Sequence, residues 1–300
     1  MSGEIGFVGL GNMGGPMAAR LAAEGHRLTV ADAAPGVAAA FAAEHPTAQV
    51  ADGNASFARV GTLVLMLPDS DVVEQVLEGD GLAEALPPGC LVVDMSSSEP
   101  LRTRALARRL ADRGLSLLDA PVSGGVRGAR AGTLSVLVGG APKDLERAAP
   151  LLRAMARTVV PVGGTGCGHA AKALNNLVSA ATVSVTVEAL ALGEAFGIPP
   201  ETMTQVLNSS SGRTNTSENK VAQFMTSGSF DSGFALRLMS KDVDIAVGLA
   251  RSLDRTAELS DHVADQWRRV ARSVPPQTDH TAMYALLGAA ADEEDKETTR

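Results

Sequence analysis

The stretch Glu4-Ile5-Gly6-Phe7-Val8-Gly9-Leu10-Gly11-Asn12-Met13-Gly14 runs apolar, ends in G-x-G-x-x-G and passes into an Ala-rich helical segment, Gly14–Glu24. In that strand–turn–helix context Gly9 permits the tight turn, Gly11 lets the backbone approach a pyrophosphate, and Gly14 lets helix pack on strand. With Leu10, Asn12 and Met13 these glycines form the expected phosphate loop, at the positive end of the helix. Asp32 closes the next apolar run, 23 residues after Gly9. A carboxylate there accepts hydrogen bonds from ribose hydroxyls and repels a 2′-phosphate, so NAD is favoured over NADP. A ligand-free glycine turn, and Asp32 as a simple helix cap, are the plainer alternatives.

Outward from this unit the pattern repeats. Apolar, β-rich runs at Arg27–Asp32, Thr62–Leu67, Cys90–Met95, Leu115–Ala120, Leu134–Gly139 and Thr158–Val162 alternate with Ala-rich or amphipathic segments. One of these, Leu101–Arg113, has Pro100 to start it and Ser98 to cap it. Alternating β and α with unbroken apolar strands predicts a mostly parallel, doubly wound sheet of the Rossmann type, covered on both faces. Near residue 165 the strands stop. Gly168–Phe196 reads as one long helix, followed by helical stretches at 200–208, 236–254, 258–273 and 281–290. The expected fold is therefore α/β, then all-α. Residues 1–164 form a dinucleotide-binding domain, 165–291 an all-helical substrate and oligomerisation domain on the long connecting helix, and 292–300 an acidic disordered tail.

Composition bounds the rest. At 300 residues, 45% hydrophobic and 20% charged, the chain has ordinary globular make-up. A net charge of −8 and 3% aromatics argue against a nucleic-acid partner, because cations supply the backbone affinity and aromatic rings stack on single strands. Cys90 and Cys167 give neither metal-ligand spacing nor a disulfide framework. No signal-peptide pattern is visible, and the apolar stretches read as broken by glycine or charge before they could span a bilayer. The expectation is a reduced, cytoplasmic protein with no membrane and no metal partner.

The phosphate loop and the following Pro16-Met17-Ala18 resemble the opening of the β-hydroxyacid dehydrogenases. That family includes 3-hydroxyisobutyrate dehydrogenase, tartronate semialdehyde reductase and the glyoxylate or succinic semialdehyde reductases. The resemblance continues at Asp119-Ala120-Pro121-Val122-Ser123-Gly124-Gly125-Val126-Arg127-Gly128-Ala129, recurs at Gly166-Cys167-Gly168-His169-Ala170-Ala171-Lys172-Ala173-Leu174-Asn175-Asn176, and again at Leu238-Met239-Ser240-Lys241-Asp242. Four ordered motifs spanning residues 4–242 are far more specific than any one alone.

Each motif also has a physical reading. Ser123-Gly124-Gly125 follows a strand end, so a hydroxyl and bare N–H groups can form an anion nest. The resemblance implies that it holds the substrate carboxylate; a packing turn is the plainer reading. Lys172 and Asn176 share a helix face. Spacing alone also suits a solvated lysine, but the resemblance makes Lys172 the acid in reduction and the base in oxidation, with Asn176 on substrate oxygen. Asn175 points elsewhere and is expected to pack or cap. Lys241 is implied near the nicotinamide, with a surface Lys241–Asp242 pair as the alternative. Ser97, in Ser96-Ser97-Ser98, stands where the family usually has Thr beside the nicotinamide ribose, and Leu67 and Pro68 are expected against the cofactor. His169 reads as a helix-start filler. Arg213 meets a second substrate carboxylate or faces solvent. Leu174, Leu177, Val178, Ala181, Val185, Leu190 and Leu192 are too many for one buried stripe, which implies a homodimer or homotetramer. The resemblance implies an NAD-dependent oxidoreductase acting on a small carboxylate substrate, interconverting a 3-hydroxy acid and its semialdehyde. The semialdehyde reductases are the alternative; intact Lys172, Asn176 and Ser123 speak against a non-catalytic dinucleotide-binding protein.

Overall fold

The computed structural model describes residues 4–287. The acidic stretch at 292–300 and the end of the helical run at 281–290 lie outside the described residues. The chain divides into two compact units, Met1–Lys172 and Ala173–Arg300, so the division falls inside the long helix.

In the first unit the strands are β1 (Glu4–Val8), β2 (Leu28–Ala31), β3 (Ala48–Val50), β4 (Val60–Leu65), β5 (Leu91–Asp94), β6 (Ser116–Asp119), β7 (Val122–Ser123), β8 (Leu134–Gly139) and β9 (Ala156–Gly163). They form one sheet in the order β3-β2-β1-β4-β5-β6-β8-β7, with β9 also on β8. The pairs from β3 to β6 are all parallel, whereas β8 runs antiparallel to β6 and β7. The strand order reverses between β1 and β4, and ligands of such sheets gather at the carboxyl ends beside that point. The sheet is covered on both sides because successive side chains alternate. Phe7, Val64 and Val93 face a core shared with Met17, Leu21 and Leu152. Val8, Leu65 and Val92 face another shared with Leu77, Leu106 and Leu110. The short β3 and β7 were not visible in the sequence, having three and two residues.

The covering helices are α1 (Gly14–Ala23), α2 (Val37–Glu44), α3 (Ser70–Glu74), α4 (Leu82–Ala85), α5 (Pro100–Ala111), α6 (Gly125–Ala131) and α7 (Pro142–Met155). Pro100 starts α5 as expected, but Ser98 does not cap it. Glu99 is the N-cap residue, and the Ser98 hydroxyl instead donates to the Asp94 carboxylate at 3.1 Å.

The second unit is helical. It contains most of α8 (Cys167–Phe196), then α9 (Pro200–Ser209), α10 (Asn215–Asn219), α11 (Leu236–Ser252) and α12 (Glu258–Ser273). Ala180, Val183, Val187 and Leu190 of α8 meet Met239, Val243 and Val247 of α11 and Val263 and Trp267 of α12 in one core. Trp267 is fully buried, and its Nε1–H donates to Ser184 Oγ at 3.1 Å. One expectation fails on α8. Its 30 residues form an unbroken helix that is long and apolar enough, by length and composition, to cross a membrane. Neither Gly168 nor Gly193 interrupts it, and 44% of its most apolar window is buried within the protein.

Candidate active site

The phosphate loop is built by close approaches. Gly9 has φ +95°, and a Cβ on Gly14 would collide with the Gly9 carbonyl oxygen, so that corner tolerates no side chain. Above Gly11 there is open space. The Leu10 N–H donates to Asp32 Oδ2 at 2.6 Å, while Asp32 Oδ1 accepts from Ala34 N at 2.8 Å. Asp32 therefore braces the loop and its own turn together. Asn12 is exposed at the tip, and half-buried Met13 anchors the loop in the core. A glycine-lined loop open above Gly11, at the start of α1 and beside a carboxylate at the end of β2, fits the pyrophosphate and ribose of a dinucleotide.

The neighbouring strand ends sort the three serines. Ser96 is buried, and its hydroxyl accepts from Leu67 N at 3.0 Å. Ser98 is buried against Asp94. Ser97 is the half-exposed member. Leu67 is half-buried and Pro68 exposed just beyond β4.

Ser123 ends β7, and Gly124 (φ 124°) and Gly125 (φ 61°) turn the backbone into α6. Nothing lies within 4 Å of a Cβ placed on Gly125. A half-buried hydroxyl beside two left-handed glycines has the form of an anion nest.

The start of α8 is held by residues outside the expected site. Asp119, at the end of β6, is fully buried. Its Oδ1 accepts from Gly166 N at 2.7 Å and its Oδ2 from His169 N at 2.9 Å. Burial raises the Asp119 pKa above the usual carboxylate value, and His169 and these N–H groups oppose that rise. His169 is no filler. It is 1% exposed, its Nδ1 lies 2.8 Å from Thr103 Oγ1, and its Nε2 lies 3.7 Å from Asp94 Oδ2. Asp94 and Asp119 each end a strand, β5 and β6, and the sequence signals of the network are that Asp119 and His169 fall within two of the motifs shared with the family. One turn after His169 comes Lys172, 8% exposed.

In the second unit, Asn176 is 5% exposed. Its Nδ2 donates to Asp242 Oδ2 at 2.6 Å, and its Oδ1 accepts from Asn175 Nδ2 at 3.2 Å. Asn175 is thus exposed rather than packed or capping, and it braces its neighbour's amide. Asp242 is 2% exposed, with Lys241 Nζ 3.9 Å from its Oδ1, so the pair is not a solvated surface bridge. Arg213 is exposed, 3.6 Å from Glu218. Cys90 and Cys167 are both free thiols, and burial pushes Cys90 up to about 11. No cluster of His, Cys, Asp or Glu suited to a metal occurs among the described residues.

Comparison with known proteins covers both units. Residues 4–164 match the family described as the NAD binding domain of 6-phosphogluconate dehydrogenase. Residues 166–287 match the one described as NAD-binding of NADP-dependent 3-hydroxyisobutyrate dehydrogenase. The chain is 39% identical to 2-(hydroxymethyl)glutarate dehydrogenase of Eubacterium barkeri over 81% of each chain. It is also 39% identical to 3-hydroxyisobutyrate dehydrogenase of Pseudomonas aeruginosa, over 85% of this chain and 88% of that one. Among solved structures, 3-hydroxyisobutyrate dehydrogenase of Mycobacterium tuberculosis with L-serine superposes with a TM-score of 0.89 at 32% identity, covering 96% of this chain and 99% of that one.

Proposed function

The chain belongs to the β-hydroxyacid dehydrogenase family, and we propose that Lys172 moves the proton in its reaction while Asn176 and Ser123-Gly124-Gly125 hold the substrate. The enzyme is an NAD-dependent oxidoreductase that interconverts a small hydroxy acid and its semialdehyde. NAD, when bound, takes or gives the hydrogen on the reacting carbon together with its electron pair. What remains for the protein is the proton on oxygen. In oxidation the neutral Lys172 amine takes the hydroxyl proton; in reduction the ammonium returns it and stabilises the charge developing on oxygen.

The observation that carries this reading is the buried face of α8, where Lys172 and Asn176 stand one turn apart and the Asn176 amide is held between Asp242 and Asn175. An amide fixed in this way is pre-organised for a substrate oxygen. Asp32 supports NAD over NADP, Ser97 and Lys241 are assigned to the nicotinamide end, and Leu67 and Pro68 to the cofactor's apolar surface. The stripe of exposed apolar residues on α8 supports a homodimer or homotetramer. The substrate carries the 3-hydroxy carboxylate unit that 3-hydroxyisobutyrate has. A screen of NAD+ reduction over 3-hydroxyisobutyrate, 3-hydroxypropionate, glycerate, serine, threonate and 4-hydroxybutyrate should give turnover with a 3-hydroxy acid. Absence of NADH from every one of these compounds and from the diacid 2-(hydroxymethyl)glutarate, with folded protein, would sink the reading.

A further inference from the structure

The face of α8 that carries Lys172 and Asn176 has a third polar member. At about 100° per residue, Ser179 falls within about 20° of Lys172 around the helix and about 4.5 Å beyond Asn176 along its axis. The next residue on that face, Val183, is fully buried in the helical core beside Ala180 and Val187. Ser179 is thus the last polar residue on that face before the apolar core begins at Val183. The Ser179 hydroxyl accepts a hydrogen bond from Lys220, Nζ to Oγ 3.2 Å, and both residues are half-buried.

Lys220 is an incompletely matched cation. An ammonium has three N–H donors, yet among the described residues this one makes a single hydrogen bond, to a neutral hydroxyl, and no ion pair. Burial pushes it down to about 8, and Asp279 attracts it only from a distance. Asp279 has no capacity to spare. Its Oδ1 accepts from Ser232 Oγ and from Thr281 N and Oγ1, and its Oδ2 from Ser232 Oγ, Gly233 N and Phe234 N. His280 stands nearby as a neutral imidazole, pushed down to about 4 by burial and by the Lys220 charge. A cation partly removed from water and lacking an anion at contact distance has N–H donors to offer an anionic ligand group, to which its hydrogen bonds would be charge-assisted.

We propose that Lys220, with Ser179, holds a second carboxylate of the substrate, which makes the enzyme selective for hydroxydicarboxylates over hydroxymonocarboxylates. This rests on the reading that Asn176 meets the substrate near its reacting carbon. The second carboxylate then lies one helical turn further along α8, within reach of a short aliphatic spacer.

The test compares NAD+ reduction with 2-(hydroxymethyl)glutarate, a diacid, and with 3-hydroxyisobutyrate and 3-hydroxypropionate. The wild type should show a diacid-to-monoacid ratio of kcat/KM of about tenfold or more, carried mainly by KM. Lys220→Gln should shrink that ratio by about 10–100-fold, the usual worth of a charge-assisted hydrogen bond, and Lys220→Arg should preserve most of it. On the wild type alone, glutarate should inhibit competitively about tenfold more tightly than butyrate, which keeps the test independent of how the variants fold. A ratio unchanged in Lys220→Gln, a wild type that prefers monoacids, or equal inhibition by the two acids overturns this proposal while the hydroxyacid reading stands. No NADH from the diacid, the monoacids or any compound of the wider screen overturns both.

Discussion

At the scale of single residues, substitutions at Lys172 and Asp32 test chemistry and cofactor binding separately. If Lys172 moves the proton, Lys172→Ala should lower kcat by about 10²–10⁴-fold and leave NADH affinity nearly unchanged, because the phosphate loop and Asp32 belong to another part of the chain. Lys172→Arg should also be poor, since a guanidinium keeps charge but is effectively never a base. Stopped-flow turnover and NADH titration check this; a folded Lys172→Ala that keeps over half the wild-type kcat removes the mechanism. At Asp32 the structure adds a cost to cofactor switching. Asp32→Ser with Ala33→Arg should shift preference toward NADP by exchanging ribose hydrogen bonds for a phosphate contact. It also removes the acceptor of the Leu10 N–H, so the loop should loosen and affinity for both cofactors should fall. The ratio of NADP to NAD affinity is the informative quantity, and a wild type that already prefers NADP overturns the role given to Asp32. Lys220 brings a pH signature. With its pKa pushed down to about 8, the ammonium loses its charge as pH rises through that value, so any diacid preference should fade above about pH 8. His280, neutral throughout that range, and Asp279, already ionised, leave Lys220 as the titrating member of this group.

At the scale of elements, the start of α8 is the part the sequence concealed. The helix itself was legible from its apolar content to within one residue of its start, and β1, α1 and β8 were plain because period and turn chemistry agreed. Asp119 was not, because it is a cap contributed from β6, 47 residues before Gly166, and local patterns carry no such partner. The same holds for His169, whose partners Thr103 and Asp94 come from other elements, and for Lys220 on Ser179, 41 residues apart. The turn Gly9 to Gly14 was readable for the opposite reason, since the close approach of Gly14 to the Gly9 carbonyl lies within one short stretch of chain and leaves its mark as a glycine pattern. Ser98 shows how a correct local rule loses. The buried carboxylate of Asp94, four residues back, takes its hydroxyl, and Glu99 holds the N-cap position instead, so one local hydrogen bond prevails over another. Asp119→Asn is the test of the remote cap. The amide offers one acceptor where two N–H groups now donate, and leaves one of them facing an N–H₂ group. This should destabilise the first unit by about 1–3 kcal/mol and raise hydrogen exchange at Gly166 and His169. Denaturant unfolding with midpoint and slope unchanged would show that Asp119 does not hold the helix.

At the scale of the whole molecule, α8 carries surface that the chain by itself does not bury. Leu174, Val178, Val185, Leu192 and Phe196 are between 47% and 87% exposed. At about 100° per residue they fall within about 40° of one another, forming a stripe some 33 Å long at about 1.5 Å per residue. Leu190, expected in the same surplus, is instead fully buried in the helical core, so the helix divides its apolar residues between two jobs. A straight apolar stripe of this length on a helix is suited to a second copy of itself. In a two-fold dimer each residue of the stripe is used twice, and each Val or Leu fully withdrawn from water contributes about 1.5–3 kcal/mol. Val185→Glu, at the centre of the stripe, should therefore place two charges in the contact and drive the assembly to monomer, with little effect on Trp267 fluorescence, since Val185 is 58% exposed within the single chain. Light scattering at micromolar concentration reads the mass of both proteins. Because α8 is also apolar enough to enter a bilayer, flotation with lipid vesicles is run alongside. A wild type that is monomeric in scattering and floats with vesicles would assign the stripe to lipid, whereas a dimeric or tetrameric wild type that stays with the aqueous fraction and is split by Val185→Glu assigns it to a second copy of the chain.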